Sequence, residues 1–484
     1  TPSCPSSVPL PSRLRPAAVC ARPGARPCAP SGGRRPILLS LSLTLLAVLL
    51  AGSAPAVAQE RPRPTDRARP PVDVVVATVN NAHMIELQRQ SAQFEQANPD
   101  IRLRWLTLEE STLRQRVASA VLRGGAQYDV VTIGLYETQV WGRQGWLQAL
   151  KPPPAWDEAD LLPAIRQGLS IDGRLHALPF YGESSMLMYR KDLAERHNVR
   201  LPERPTWRQV ADAASRMHDP SEGVHGICLR GKPGWGDNMA LILTMANAHG
   251  GQWFDMGWRP QVDSPPWQAA VGLYVDLMRR YGPPGAEADS YNELLARFRQ
   301  GQCAIWVDAT IAASFLEDPA GSQVAGRVGY TLAPQAVTAK GAGWLWAWTL
   351  AVPVGSRQPE AARRFVAWAS SRAYVAQVAR TRGWAAVPTG TRRSTYRESG
   401  FQRAAAAFYA AELRALDAIN PDDATVPRSP YQGVQYAAIP EFQTIGIAVG
   451  QQIAAALAGR QTVAQALQAA QRLAEQEMRR AGYY

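Results

Sequence analysis

The segment 72–133 fixes the fold class. Val72-Asp-Val-Val-Val-Ala-Thr-Val79 is an apolar, β-branched run that suits a strand buried on both faces. Asn80-Asn81 follow as a loop. Met84, Leu87, Ser91 and Phe94 then recur at helical spacing until Asn98-Pro99-Asp100 stops the helix. Ile101, Leu103 and Trp105 alternate as a second strand, and Leu113, Val117 and Val121 mark a helix that ends at Gly124-Gly125. Tyr128-Asp-Val-Val-Thr-Ile133 reads as a third strand. Strand, helix, strand, helix, strand requires a parallel sheet with helical crossovers, an α/β fold. Ligands of such sheets bind beyond the carboxyl ends of the strands. Those ends are Asn80-Asn81, Thr107-Leu-Glu-Glu110 and Gly134-Leu-Tyr-Glu137, all polar or aromatic.

The rest of the chain mixes strands and helices. Leu178-Pro-Phe-Tyr-Gly-Glu-Ser-Ser185 interrupts the pattern before a strand at Met186–Tyr189. Thr206-Trp-Arg-Gln209 is a capping box that opens a helix. Val224–Leu229 reads as a strand, followed by the glycine-rich loop Arg230–Asn238. A helix spans Trp267–Arg280, a strand Cys303–Val307 ends at Asp308, and Trp344-Leu-Trp-Ala-Trp348 precedes another strand. Pro359 opens a helix to Ser370, the last third is helical, and Thr462-Val-Ala-Gln465 boxes the final helix. At 484 residues the chain is long enough for two lobes.

The first 58 residues carry a different message. Arg34-Arg35, the 14-residue apolar run Ile37–Leu50 and the small-residue site Ala56-Val57-Ala58 form an export signal cleaved after Ala58. The alternative, a retained anchor, is disfavoured because a bilayer span needs about 20 apolar residues. The stretch before Arg34 reads as a foreign extension, and 59–71 as a flexible leader. Residues 1–58 hold six Arg and no acid, so their removal leaves 46 basic against 40 acidic residues, and +12 becomes +6. The remaining excess is scattered, with no basic stripe interleaved with aromatics, so nucleic acid is not an expected partner. Cys228 and Cys303 are the two cysteines left. In an exported chain they form a disulfide or stay as two buried thiols, and spacing alone does not decide.

Several chemistries fit poorly. Gly226-Ile-Cys-Leu-Arg-Gly231-Lys232 follows a phosphate-binding loop until its eighth position, where Pro233 stands in place of the Ser or Thr that holds magnesium. The six His make no metal-ligand spacing, and no Gly-x-Ser-x-Gly elbow is present. Neither metal nor cofactor is expected. Glu109, Glu110, Glu137, Glu183 and Asp308 could supply a glycosidase pair, but they equally suit acceptance of hydrogen bonds from ligand hydroxyls. Trp235, Trp344, Trp346 and Trp348 could cover the C–H faces of a sugar. Trp346 alternates within a strand, so at least one of the last three is expected in the core, whereas Trp235 sits in a glycine-rich loop where sites concentrate.

The order of Tyr128-Asp-Val-Val131, Gly173-Arg-Leu-His-Ala-Leu-Pro179, Met188-Tyr-Arg-Lys-Asp192, Pro205-Thr-Trp207, Phe298-Arg-Gln-Gly301 and Gly459-Arg-Gln-Thr-Val463 resembles the family 1 extracellular solute-binding proteins of ABC importers. The similarity spans 72–484. Longer strings bring it close to the periplasmic sorbitol- and mannitol-binding branch. These include Ala77-Thr-Val-Asn-Asn81, Trp105-Leu-Thr-Leu-Glu-Glu110, Phe180-Tyr-Gly-Glu-Ser-Ser185, Trp306-Val-Asp-Ala-Thr310 and Trp344-Leu-Trp-Ala-Trp348.

The resemblance implies a two-lobe α/β binding-protein fold with its ligand between the lobes. The N-terminal lobe is expected at 72–181 and 304–385, and the C-terminal lobe at 182–303 and 386–484. It also implies a Cys228–Cys303 disulfide, a periplasmic monomer, a sugar alcohol as ligand, and a membrane permease as partner. A hexitol buries hydroxyls that each need a partner. The residues expected to supply them are Asn80, Glu110, Tyr136, Glu183, Arg230, Lys232, Trp235, Asp308 and Trp346. Glu110 and Asp308 are expected as acceptors, Arg230 and Lys232 as donors, and Trp235 as an apolar wall. The alternative is a secreted carbohydrate-active enzyme using the same carboxylates.

Overall fold

The computed structural model describes residues 70–484, Gly125 excepted. The export signal read at 1–58 and most of the leader at 59–71 lie outside the described residues.

The chain opens with β1 (Val72–Val79), α1 (Ala82–Ala97), β2 (Ile101–Leu108), α2 (Glu110–Leu122), β3 (Val130–Ile133) and α3 (Leu135–Arg143). β1 pairs in parallel with β2 along its whole length, and with β3 at Val76 and Ala77. Val74, Val76, Val130 and Val131 are fully buried, as central strands of a parallel sheet require. Each crossover helix begins on a side-chain cap placed just after a strand. The Asn81 side chain accepts the Met84 N–H. The Glu109 carboxylate accepts the N–H groups of Ser111 and Thr112. These caps fix Asn80-Asn81 and Glu109-Glu110 at one edge of the sheet.

A short hairpin, β4 (Ser170–Ile171) and β5 (Arg174–Leu175), leads into the long β6 (Leu178–Arg190). β7 (Ile305–Ala309), β8 (Val328–Leu332) and β9 (Leu345–Ala351) complete the strands. The sheet order is β2-β1-β3-β9-β6-β7, with β8 also on β6. β6 changes partners midway. Residues from Leu178 to Ser184 pair with β9, and those from Ser185 to Arg190 pair with β7 and β8.

Three expectations change here. The segment 178–185 is strand, not an interruption. Pro179 is accommodated at a register shift, and Gly182 lies where a second segment crosses. A Cβ on Gly182 would stand 2.3 Å from the Gly390 carbonyl oxygen, and one on Gly390 1.9 Å from that of Gly182. Gly182 N–H donates to Thr389 O at 2.8 Å. Val224–Leu229 is not a continuous strand. It makes isolated bridges from His225 to Cys303 and from Cys228 to Trp306, because its other N–H groups are diverted. Gly226 N–H goes to His218 Nδ1 and Ile227 N–H to Tyr281 O. Cys228 and Cys303 are joined by a disulfide at this point. Finally, β7 and β8 were expected in the N-terminal lobe with 304–385. Their ladder instead belongs to the 185–190 half of β6, and the change of partners along the chain falls between β8 and β9.

Candidate functional site

A cavity of about 110 Å³ lies beyond the carboxyl ends of β1 and β2. Asn80, Asn81, Glu109 and Glu110 form one wall. Arg230, Lys232, Trp235 and Asp237 of the 230–238 loop, with Ser290 and Tyr291, form the opposite wall. Tyr181 and Glu183 of β6, Trp346 and Trp348 of β9, and Trp344 just before β9 close it from below. Trp346 and Trp348 are two residues apart in the strand, so they share one face. All three are buried in the hydrophobic core, as expected of at least one of them, and all three also line the cavity. Gly134 makes room for this wall, since a Cβ there would stand 1.7 Å from the Trp346 ring.

Seven of the nine expected residues line the cavity: Asn80, Glu110, Glu183, Arg230, Lys232, Trp235 and Trp346. Tyr136 and Asp308 do not. Tyr136 is buried behind Trp235, with ring centroids 5.1 Å apart, and its hydroxyl donates to Ile439 O at 3.1 Å. Asp308 is fully buried beneath Arg230. It accepts from Arg230 Nε at 2.9 Å and Nη2 at 2.6 Å, from Trp306 Nε1 at 3.0 Å, and from the Ala309 N–H at 2.6 Å. Four donors occupy its oxygens, so it orients the arginine instead of accepting from a ligand.

Arg114 was not among the expected site residues, although it stands in the string Leu113-Arg-Gln-Arg-Val117 that resembles the polyol-binding branch. Its guanidinium lies 4.1 Å from the Trp235 ring and 5.0 Å from those of Trp346 and Trp348. Glu110 accepts from it at 2.9 Å, and Glu137, which also caps α3 by accepting the Gly134 N–H, pairs with it from behind. A cation over three ring faces, held by two carboxylates, keeps the aromatic wall in place. Asn81, Tyr181, Asp237, Tyr291 and Gln435 were missed as well. Asn81 and Tyr181 are joined by a 2.9 Å hydrogen bond and stood within strings already singled out. Asp237 sits in the glycine-rich loop, whereas Tyr291 and Gln435 carried no local signal.

The electrostatics set two acids apart. Burial pushes the Glu183 carboxyl up to about 8, against the opposing pull of Arg230. Burial, with Glu110 nearby, raises Asp237 to about 6. Arg230 is committed to Asp308, Arg114 to Glu110 and Glu137, and Lys232 to Glu109 at 2.5 Å. No cation is therefore dedicated to Glu183 or Asp237. Two buried donors on the wall, Trp235 Nε1 and the Tyr291 hydroxyl, have no partner among the described residues. Two acids without a dedicated cation and two donors without a partner, all on the lining of one small cavity, suit a neutral ligand rich in hydroxyls.

Of the five carboxylates that could have formed a glycosidase pair, Glu137 and Asp308 are buried behind arginines. Glu109 caps a helix and Glu110 holds Arg114, so only Glu183 faces the cavity without a dedicated partner. Among the described residues, no group of three or more His, Cys, Asp and Glu is arranged to hold a metal ion.

Residues 81–376 match the family described as bacterial extracellular solute-binding protein. The chain is 50% identical over 412 residues to the mannitol-binding protein of Pseudomonas aeruginosa, covering 85% of this chain and 94% of that one. A crystal structure of an ABC-transporter solute-binding protein from Agrobacterium vitis S4, with bound D-mannitol, aligns with a TM-score of 0.83 at 51% identity. It covers 85% of this chain and 99% of that one. A solute-binding protein from Agrobacterium radiobacter K84 in complex with ribitol aligns at TM-score 0.74 and 24% identity, covering 84% and 98%, which shows the shared fold.

Proposed function

The chain belongs to the bacterial extracellular solute-binding proteins, and on that premise we propose that it captures a hexitol of the mannitol type between two lobes and delivers it unaltered to a membrane permease. The observation that carries this reading is the cavity itself. It is lined by polar side chains on both walls and floored by three tryptophans. Hydroxyls would donate to Glu183 and Asp237 and accept from Arg230, Trp235 Nε1 and Tyr291, and the tryptophan floor would cover the C–H faces. The Pseudomonas aeruginosa relative named for mannitol, and the mannitol-bound structure at 51% identity, support the same ligand class.

In this reading the first lobe is built on β1–β3 and β9, the second on β7, β8 and the helices around them, and β6 runs through both. Every wall of the cavity comes from one chain, so a monomer suffices. The protein works in the periplasm, after cleavage following Ala58. Closure excludes water and strengthens each polar contact, and the free energy gained only on closing shifts the lobes toward the form a permease recognises.

A thermal-shift panel of mannitol, sorbitol, arabitol, glucose and maltose tests the reading. At a hundredfold excess over Kd a ligand stabilises the fold by about 2.7 kcal/mol. The sugar alcohols are expected to raise the melting midpoint and maltose to leave it unchanged. A shift with maltose alone would overturn the polyol assignment.

A further inference from the structure

Lys232 lines the cavity, yet its ammonium is held elsewhere. Nζ lies 2.5 Å from Glu109 Oε1, on the opposite wall. Both ends of this ion pair spring from fixed points. The other oxygen of Glu109, Oε2, accepts from the N–H groups of Ser111 and Thr112 at 3.0 and 3.2 Å and from the Ser111 hydroxyl at 2.7 Å. The cap of α2 therefore presents Oε1 outward. Lys232 N–H donates to Asp289 O at 3.0 Å, and its carbonyl accepts the Asn238 N–H at 3.1 Å, at the start of helix Asn238–Ala248. The pair stands at the mouth, with side chains 32% and 47% exposed, whereas Arg230 and Glu183 are buried deeper in. Beside it the Asn292 side chain donates to Asn80 O across the same gap at 3.3 Å.

We infer that the Lys232–Glu109 ion pair is a latch: it holds the two walls of the cavity together and sets how long the solute stays, without recognising the solute. It rests on the polyol reading above. Exposed ion pairs usually contribute little because two long side chains must be ordered. Here the helix cap has already ordered one of them. An effect at the upper end of the range for exposed pairs is expected, about two- to fivefold in dissociation rate.

The test is stopped-flow dissociation of mannitol, sorbitol and arabitol from the mature protein and from Lys232→Met, Glu109→Gln and the double variant. Gln keeps an oxygen for the helix cap. Each single substitution should raise the dissociation rate about two- to fivefold, and the double variant no further. The factor should be the same for all three alcohols, because a latch does not touch them. Added potassium chloride should speed release from the wild type but not from Lys232→Met. Single effects that multiply in the double variant, or a loss that differs among the alcohols, would overturn the latch and return Lys232 to the role of solute donor. A wild type that binds none of the alcohols would overturn the polyol reading, and the latch with it.

Discussion

Glu183 sits where burial and ligand binding pull in opposite directions. Its carboxyl is raised to about 8 by burial, so at neutral pH the folded protein holds a proton there that the unfolded chain has lost. Stability from this group is present at low pH and declines as pH rises from the ordinary carboxylate range to about 8. The melting midpoint of the solute-free protein should therefore fall more steeply between pH 5 and about 8 in the wild type than in Glu183→Gln; parallel curves would contradict the assignment. Asp308 is the second test at this scale. Asp308→Asn leaves the Arg230 charge buried without its partner and should cost about 3–5 kcal/mol in denaturant unfolding. A loss of binding with stability intact would instead restore Asp308 as a direct acceptor. Its place behind Arg230 was not legible in the sequence. The two are 78 residues apart, and an acid at the end of a strand looks the same whether it faces a ligand or an arginine. Arg114 was hidden for a related reason. It follows Leu113 on a helix whose spacing marks only the apolar face, and only folding brings β9 and the 230–238 loop around it.

The β1-α1-β2-α2-β3 unit was readable because apolar runs, caps and breakers agree there; the ends of β1 and β2 line the cavity, whereas Gly134–Glu137 after β3 lies behind it. β6 was not, because Pro179 and Gly182 punctuate its sequence. In space the proline falls at a register shift and the glycine is required by a crossing backbone. Gly390 carries the same constraint, with φ of +77° and the Gly182 carbonyl against it. Gly390→Ala is expected to lower the urea midpoint clearly more than Gly459→Ala. Gly459 has nearly the same φ, +76°, but its nearest neighbour is the end of the Arg279 side chain at 3.5 Å. The control isolates the backbone-conformation cost of about 1 kcal/mol. Equal midpoints would mean that the chain relaxes around Gly182 without cost. The Val224–Leu229 run shows the converse error. Its residues suit a strand, but Gly226 and Ile227 give their N–H groups to His218 and Tyr281, which lie outside any ladder.

At the scale of the molecule, residues far apart in the chain meet through β6 and the disulfide. Cys228 and Cys303 close a loop across a sequence separation of 75. Loop-closure entropy gives about 4–5 kcal/mol for a bridge of this span. Replacing both cysteines with alanine should lower the melting midpoint by several degrees, while mannitol still raises it. An unchanged midpoint would mean that the bridge stabilises nothing. The fold class and the family were legible because helix and strand periods, and the long strings shared with a known branch, extend over most of the chain. Which half of β6 each later strand joins was not, because strand partners chosen across the sheet leave no local mark. Calorimetric titration of the mature protein with mannitol, followed by recovery of the ligand and its proton NMR spectrum, tests whether one chain closes on a sugar alcohol and releases it unchanged. Saturable binding of one mannitol per chain is expected, with a recovered ligand identical to the one added. No heat of binding, or a chemically altered product, would contradict it.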